Sequence, residues 1–415
     1  MTWEPLSLWY GALSTSDSAV HERAIVSGHG CFVRDASGRE YLDARAALWN
    51  AALGYSNERV IAAITSQLTQ LPVAQIIRHD QPTRLALDYA ERLVRVLPGN
   101  LAHVRFCTTG AQAVEGAVML SRFVRRRAGQ PARTDVVALW TGYHGVGGLA
   151  SGLTGEAPLH DLQAPLAPGV HHVPAGNLTA LSTVVDRVGA GRITAVVLEP
   201  VLGTDIVELP AAYLLGVQRL CQEAGIHLIL DEVSTGFGRT GSLTVAGRLG
   251  LAPDMLVLSK GITAGYLPLS AIAVTTALLR LAVAGDGVFP HGSTGDGHPL
   301  ALAAASAVLD ELADGKVLDN VRARGAQLTA ALRALPAVRS VHGLGLMIAV
   351  ELCGANMFAV KQRCRDSGLL VSISNNHVIL TPPLVITPNE VDLLVARLDH
   401  ALRAALPEPV PAPAR

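Results

Sequence analysis

The sequence predicts an α/β protein, with a large domain of mainly parallel sheet covered by helices and a small α+β domain assembled from both ends of the chain. Three observations predict it. Through the middle of the chain, short apolar runs rich in branched residues alternate with longer helical patterns, as parallel strands joined by crossover helices require. The runs are apolar on both faces, so helices must cover both sides of the sheet. A chain of 415 residues with 50% hydrophobic content also exceeds what one core usually covers. The expected division is 1–60 for the first part of the small domain, 61–310 for the large domain and 311–415 for the second part of the small one.

Residues 30–45, GCFVRDASGREYLDAR, read as a small hairpin turning at Ala36 to Arg39. In FCTTGAQAVEGAVMLSRFV, Thr108, Thr109 and Gly110 precede a helix whose apolar stripe runs Val114, Ala117, Val118, Met119 and Val124. A helix amino terminus preceded by glycine offers free N–H groups and a positive dipole end to an anion, although either threonine could simply cap it. Four strands then matter. DVVALW leads into Gly142, Tyr143, His144 and Gly145; AVVLEP carries Glu199; HLILDE carries Asp231; DMLVLSK ends at Lys260. Each sets functional groups just past its carboxyl end, the edge where open α/β sheets bind ligands. After about residue 310, helices are interrupted by VRSVHGLGLMIAVEL and LLVSISNNHVILTPP. The last helix opens with Thr387, Pro388, Asn389 and Glu390, a capping box with proline at the first position. The tail PEPVPAPAR is proline-rich and is expected to fray.

Charge excludes some functions. The 33 basic and 34 acidic residues nearly cancel, and only Arg125, Arg126 and Arg127 cluster, which reads as a solvated helix end; nucleic acid is not an expected partner. Five widely spaced cysteines without a CxxC fit free thiols in a reducing compartment. The first residues lack a basic start and a long apolar block, and no apolar run reaches membrane-spanning length, so a cytoplasmic protein without a membrane partner is expected. His171 and His172 are neighbours with no further ligand at metal spacing, so no metal is expected.

The chemistry concentrates on Lys260 and Asp231. A lysine among apolar neighbours has its ammonium disfavoured by desolvation, which a Schiff-base lysine requires. HLILDEVSTGFGRTG delivers two carboxylates, Asp231 and Glu232, into a glycine-rich turn one strand away. A lysine imine paired with a carboxylate is what pyridoxal phosphate demands, because an anion must keep its pyridine nitrogen protonated. Asp231 is the expected anion, with Val233 against one ring face and Tyr143 of WTGYHGVGG stacked on the other. His144 is counted beside Tyr143 among the cofactor contacts.

DEVSTGFGRTG, APDMLVLSKGITAGYLPLSA and HGSTGDGHPLALAAA together resemble the class III pyridoxal-phosphate aminotransferases of fold type I, from about Gly28 to Ile386, closest in flavour to the amine (omega) transaminases. The resemblance implies a homodimer with active sites at the interface, where Ser293 and Thr294 reach the neighbouring subunit's cofactor phosphate. It implies that Lys260 carries the cofactor, Asp231 pairs with the pyridinium, Gly110 and Ala111 take the phosphate, and Tyr143 stacks on the ring. Glu199 of LEPVLG matches a glutamate lining the same pocket.

Two departures bear on function. Many members have GSEA where this chain has Gly110, Ala111, Gln112 and Ala113, which removes a hydroxyl but leaves backbone donors. Members acting on glutamate and a terminal amine have a glutamate and an arginine where this chain has Thr204 and Ile379, and LLVSISNNH lacks the mobile arginine of amine-pyruvate relatives. An arginine fork is the usual grip on a carboxylate. Unless Arg78, Arg45 or another arginine substitutes, the expected acceptor is an aldehyde or ketone without a carboxylate beside the reacting carbon, such as a small molecule or peptide in natural-product tailoring. ARAALWNAALGYS resembles the amine-transaminase segment whose aromatic walls the substrate pocket, which would make Trp49 that wall or, equally, a tryptophan packed in the small domain. An aminomutase, racemase or decarboxylase on the same fold, and a non-catalytic dimer, are the alternatives.

Overall fold

The computed structural model describes residues 21–76, 81–285 and 287–405. The first residues, Arg78 and the proline-rich tail lie outside them. Seven strands form the large sheet: Leu101–Cys107 (β1), Asp135–Leu139 (β2), Val170–Val173 (β3), Ile193–Leu198 (β4), His227–Asp231 (β5), Met255–Leu258 (β6) and Ser270–Thr275 (β7). Their order is β1-β7-β6-β5-β4-β2-β3. The pairs from β6 to β3 are parallel, while β7 runs antiparallel to both neighbours. The reversed strand escapes a reading based on crossover helices, because the link between β6 and β7, residues 259–269, holds only the 3-10 turn Lys260–Thr263 and no crossover α-helix.

Alternation along the strands fills both faces. Val136, Ala138, Ala195, Val197, Ile229, Met255 and Val257 pack with Val114, Val118 and Val124 of the helix Gly110–Arg127. Val137, Leu139, Val196, Leu198, Leu228, Leu230, Leu256 and Leu258 point the other way, into the larger core with Leu214 and Val217 of the helix Ala211–Ala224. A period of two with both faces buried is why these runs look continuously apolar in the sequence.

The ends of the chain meet in smaller sheets. Phe32–Asp35 and Glu40–Asp43 form the expected hairpin, flanked by Ile25–His29, and Leu369–Leu370 pairs with Leu42 and Asp43. Val338–Leu344, Met347–Leu352, Ser372–Ser374 and His377–Leu380 make a second antiparallel sheet. The capping box is formed: the Thr387 N–H donates to Glu390 Oε2 at 2.7 Å and the Glu390 N–H to Thr387 Oγ1 at 3.3 Å. Arg125 and Arg127 are not merely solvated, since they donate to the carbonyls of Gly225 and Leu281.

Because β2, β4, β5 and β6 are parallel, their carboxyl ends share one edge. Antiparallel β7 starts there, with Ser270 opposite Cys107, so β1 also ends at that edge. This brings Thr108, Tyr143, Glu199, Asp231 and Lys260 to one side of the sheet.

Candidate active site

A cavity of about 630 Å³ opens at that edge, lined among others by Thr108, Thr109, Gly110, Ala111, Tyr143, His144, Asp231, Val233, Ser234 and Lys260. One end of it is the start of the Gly110–Arg127 helix, where the Thr109 hydroxyl accepts from the Gln112 N–H at 3.2 Å. The first-turn N–H groups of Gly110 and Ala111 have no intrahelical acceptors. Side chains would crowd this end: a Cβ on Gly110 would lie 3.1 Å from a Val233 methyl, and one on Gly145, at φ +105°, would lie 2.5 Å from the Ala111 Cβ.

Asp231 is 3% exposed. Its Oδ1 accepts from the Val233 N–H at 3.0 Å, and its Oδ2 lies 2.7 Å from His144 Nδ1. Burial opposes charge on His144, but the hydrogen bond and negative charge of Asp231, with Glu199 beyond, outweigh it and raise its pKa. His144 thus meets the cavity-lining carboxylate of Asp231 directly. Glu232 turns the other way: it accepts from the N–H groups of Val245 and Ala246, each at 2.7 Å, and from the Thr235 hydroxyl at 2.9 Å. It anchors the amino end of a short helix, and of the two adjacent carboxylates only Asp231 serves the cavity.

Lys260 sits at φ +44°, the left-handed region, just past the end of β6. Nζ donates to the Ser234 hydroxyl at 2.7 Å and lies 4.7 Å from the centre of the Trp49 ring. Burial lowers the pKa of the ammonium, against the opposing charges of Glu199 and Asp231. Ser234 was not singled out in the sequence, since a serine in a glycine-rich turn has no distinguishing signal. Glu199, 3% exposed, accepts from the N–H groups of Tyr143 at 2.8 Å and Gly203 at 3.1 Å, and desolvation pushes its pKa up to about 7. Tyr143 remains 40% exposed at the cavity mouth.

Ser293 lies 3.0 Å from the Thr108 hydroxyl of its own chain and donates to Asp296 at 2.8 Å, while Thr294 is exposed in the adjoining turn. Asp296, buried and bonded to Thr108 and Gln112 as well, ties this segment to the helix start. An aspartate between glycines carries no distinguishing signal in the sequence.

Trp49 comes from a turn in which Ala46, Ala47, Leu48 and Trp49 have φ of +45°, +48°, +61° and +70°. Left-handed backbone costs roughly 1–2 kcal/mol for each such residue. Trp49 packs against the cluster of Val201, Ile206, Met347, Ala349 and Ile379, while its ring faces Lys260 Nζ. Ile379 is 2% exposed in that aliphatic cluster, and Thr204 donates to Glu156 at 2.7 Å. Arg45 is paired with Asp43 at 3.0 Å, and no arginine lines the cavity among the described residues. His171 lies 3.0 Å from Asp135, and His172 faces the Leu153 carbonyl, both away from the cavity.

The donor set fits a phosphorylated pyridine aldehyde: a helix start with free N–H groups, a buried carboxylate for a ring nitrogen, apolar Val233 and aromatic Tyr143 as faces, and a lysine with its ammonium disfavoured. The Aminotransferase class-III family model matches residues 14–402. The ornithine aminotransferase of Bordetella pertussis is 34% identical over 394 residues, covering 92% of this chain and 92% of that protein. Among solved structures, an (S)-enantioselective omega-transaminase from Thermomicrobium roseum superposes with a TM-score of 0.88 at 31% identity, covering 92% of this chain and 93% of that one. An amine transaminase from an uncultivated Pseudomonas species, solved with pyridoxal phosphate bound, gives a TM-score of 0.90 at 31% identity over 97% of this chain and 99% of that one.

Proposed function

The chain belongs to the class III aminotransferases, enzymes that use pyridoxal 5′-phosphate to transfer amino groups, and from that premise we propose that its acceptor is an aldehyde or ketone with no carboxylate beside the reacting carbon. The observation that carries the proposal is the aliphatic cluster around Ile379. An arginine there would be desolvated with no partner, and Ile379 offers a substrate carboxylate nothing. The resemblance to ornithine aminotransferase therefore does not extend to that recognition, and likeness to amine transaminases agrees with it. Carbonyl groups on a small molecule or on a peptide undergoing tailoring meet the same requirement.

When bound, pyridoxal phosphate supplies an aldehyde for amine exchange and an electron-accepting ring. In the proposed mechanism Gly110 and Ala111 hold its phosphate through backbone N–H groups, Asp231 keeps its ring nitrogen protonated, and Tyr143 and Val233 hold its faces. Lys260, with its ammonium disfavoured by burial, would be the base that takes a proton from the substrate carbon and delivers it to the cofactor carbon that carried the aldehyde. Ser234, 2.7 Å from Nζ, orients the amine. Glu199 steadies the Tyr143 backbone and supplies charge that opposes the desolvation of Lys260.

The proposal includes a cytoplasmic homodimer in which Ser293 and Thr294 serve the neighbouring site, supported by the exposed turn that carries Thr294. It also includes a small domain made of 1–60 and 311–415 around a large domain of 61–310, supported by the pairing of Leu369 and Leu370 with Leu42 and Asp43. The test of substrate class is a matched pair of acceptors differing only in a carboxylate beside the carbonyl. A lower KM for the acceptor lacking the carboxylate is expected, and strong preference for the carboxylate would overturn the proposal.

A further inference from the structure

Four successive left-handed residues without a glycine persist only where the surroundings over-determine them, and such runs cluster at functional sites. At residues 46–49 the surroundings converge on Asp43, whose side chain is 1% exposed. Its Oδ1 accepts from the Arg45 N–H and the Arg45 Nε, both at 3.0 Å. Its Oδ2 accepts from the Ala47 N–H at 3.0 Å and the Tyr55 hydroxyl at 2.5 Å. One carboxylate thus bonds the residue entering the turn, a residue inside it and a side chain beyond it. Both carboxylate oxygens therefore serve as acceptors, two bonds on each.

Neighbouring segments close around the same turn. The Thr381 N–H donates to the Ala44 carbonyl at 2.8 Å and its hydroxyl to the Arg45 carbonyl at 3.3 Å. Within the turn, the Trp49 N–H donates to the Arg45 carbonyl at 2.7 Å. The indole that emerges lies 4.7 Å from Lys260 Nζ on one side, and so close to Gly203 on the other that an added Cβ would sit 3.2 Å from it. Reversing the hand of the turn would redirect every side chain on it, so the position of the indole depends on the left-handed form.

We infer that Asp43 is a positioning residue that sets substrate size: by holding the turn left-handed it keeps Trp49 over Lys260 and limits the bulk admitted beside the reacting carbon. The inference rests on the proposed roles of Lys260 and Trp49. Loss of one carboxylate oxygen as acceptor, as in Asp43→Asn, frees either Arg45 or the Ala47 and Tyr55 pair, and the turn then relaxes with its indole.

The test compares Asp43→Asn, Trp49→Ala and the double variant as holoenzymes, using 2-aminobutane and 1-phenylbutylamine as donors. The kcat/KM ratio of bulky to small amine should rise about tenfold in each single variant, the scale on which pocket contacts discriminate. The double variant should rise no further, because both changes act on one wall. An unchanged ratio in Asp43→Asn, or ratios that multiply in the double variant, would overturn the inference. Should Asp43→Asn fail to fold, Tyr55→Phe removes a single bond and should move the ratio the same way by a smaller factor; an unchanged ratio there counts equally against it. A second readout follows Trp49 directly, in holoenzyme with Trp3, Trp9 and Trp140 replaced by Phe. Acrylamide quenching of its emission should at least double on Asp43→Asn or Tyr55→Phe, and unaltered quenching overturns the inference. That measurement stands even if neither amine is a substrate, so failure of the substrate reading is told apart from failure of the positioning role.

Discussion

Asp231 and Glu232 are adjacent carboxylates with opposite fates: one faces the cavity with His144 behind it, and the other is consumed by the Val245 and Ala246 N–H groups. At the residue scale function follows from where the backbone aims each group. Lys260 has a positive φ, and burial lowers the pKa of its ammonium. Replacing it with alanine should lower turnover by at least roughly 10²–10⁴-fold, the worth of a positioned general base, while phosphate and ring contacts retain cofactor. Single-turnover kinetics together with the visible spectrum of the purified variant would check both halves. Glu199 gives a pH prediction. Its pKa is raised by burial from the ordinary 4.5 to about 7, so the stability it contributes through proton uptake is present below 4.5 and lost as pH rises through about 7. The stability of the native protein relative to Glu199→Gln should therefore fall between pH 5 and 8, the direction checked by urea unfolding of both across that window. An inflection near pH 7 in kcat/KM should disappear in the same variant.

At the element scale the strands aim the groups and the turns decide details. The hairpin at 32–43 and the capping box at Thr387 were legible because local chemistry sets them: turn residues in the one, reciprocal side-chain to backbone bonds in the other. Thr387→Ala should cost about 1 kcal/mol, the usual worth of an N-cap, measured as a shift in the urea midpoint with unchanged slope. The antiparallel β7 and the left-handed turn before Trp49 were not legible. Ser270–Thr275 is as apolar as a parallel strand, and strand direction is set by the connection and by partners distant in sequence. ARAALW carries no glycine to announce positive φ, and its conformation is imposed by Asp43, Thr381 and the cluster behind Trp49.

At the scale of the whole molecule, the proposed dimer makes each site depend on two chains. A mixed dimer of Lys260→Ala and Thr294→Ala subunits gathers both defects in one site and leaves the other intact. Co-expressed, differently tagged subunits should regain activity close to half that of the native enzyme, above either parent; activity no higher than the Thr294→Ala parent would place Thr294 outside the neighbouring site. The sequence by itself determined the α/β layering and named Lys260, Asp231, Tyr143 and the helix start at Gly110, at the carboxyl edge of the sheet, as candidates for the proposed chemistry. These follow from periodicity, strand-end position and residue chemistry, which are local properties. Only the tertiary structure decided that Glu232 is structural, that Ser234 holds Lys260, that Ile379 is buried among aliphatic side chains, and that Asp43 governs the turn under Trp49. The first three are settled by contacts between residues well separated in sequence; Asp43 bonds Arg45 and Ala47 close by, but the left-handed turn also leans on Thr381 and the cluster behind Trp49, which no local pattern encodes.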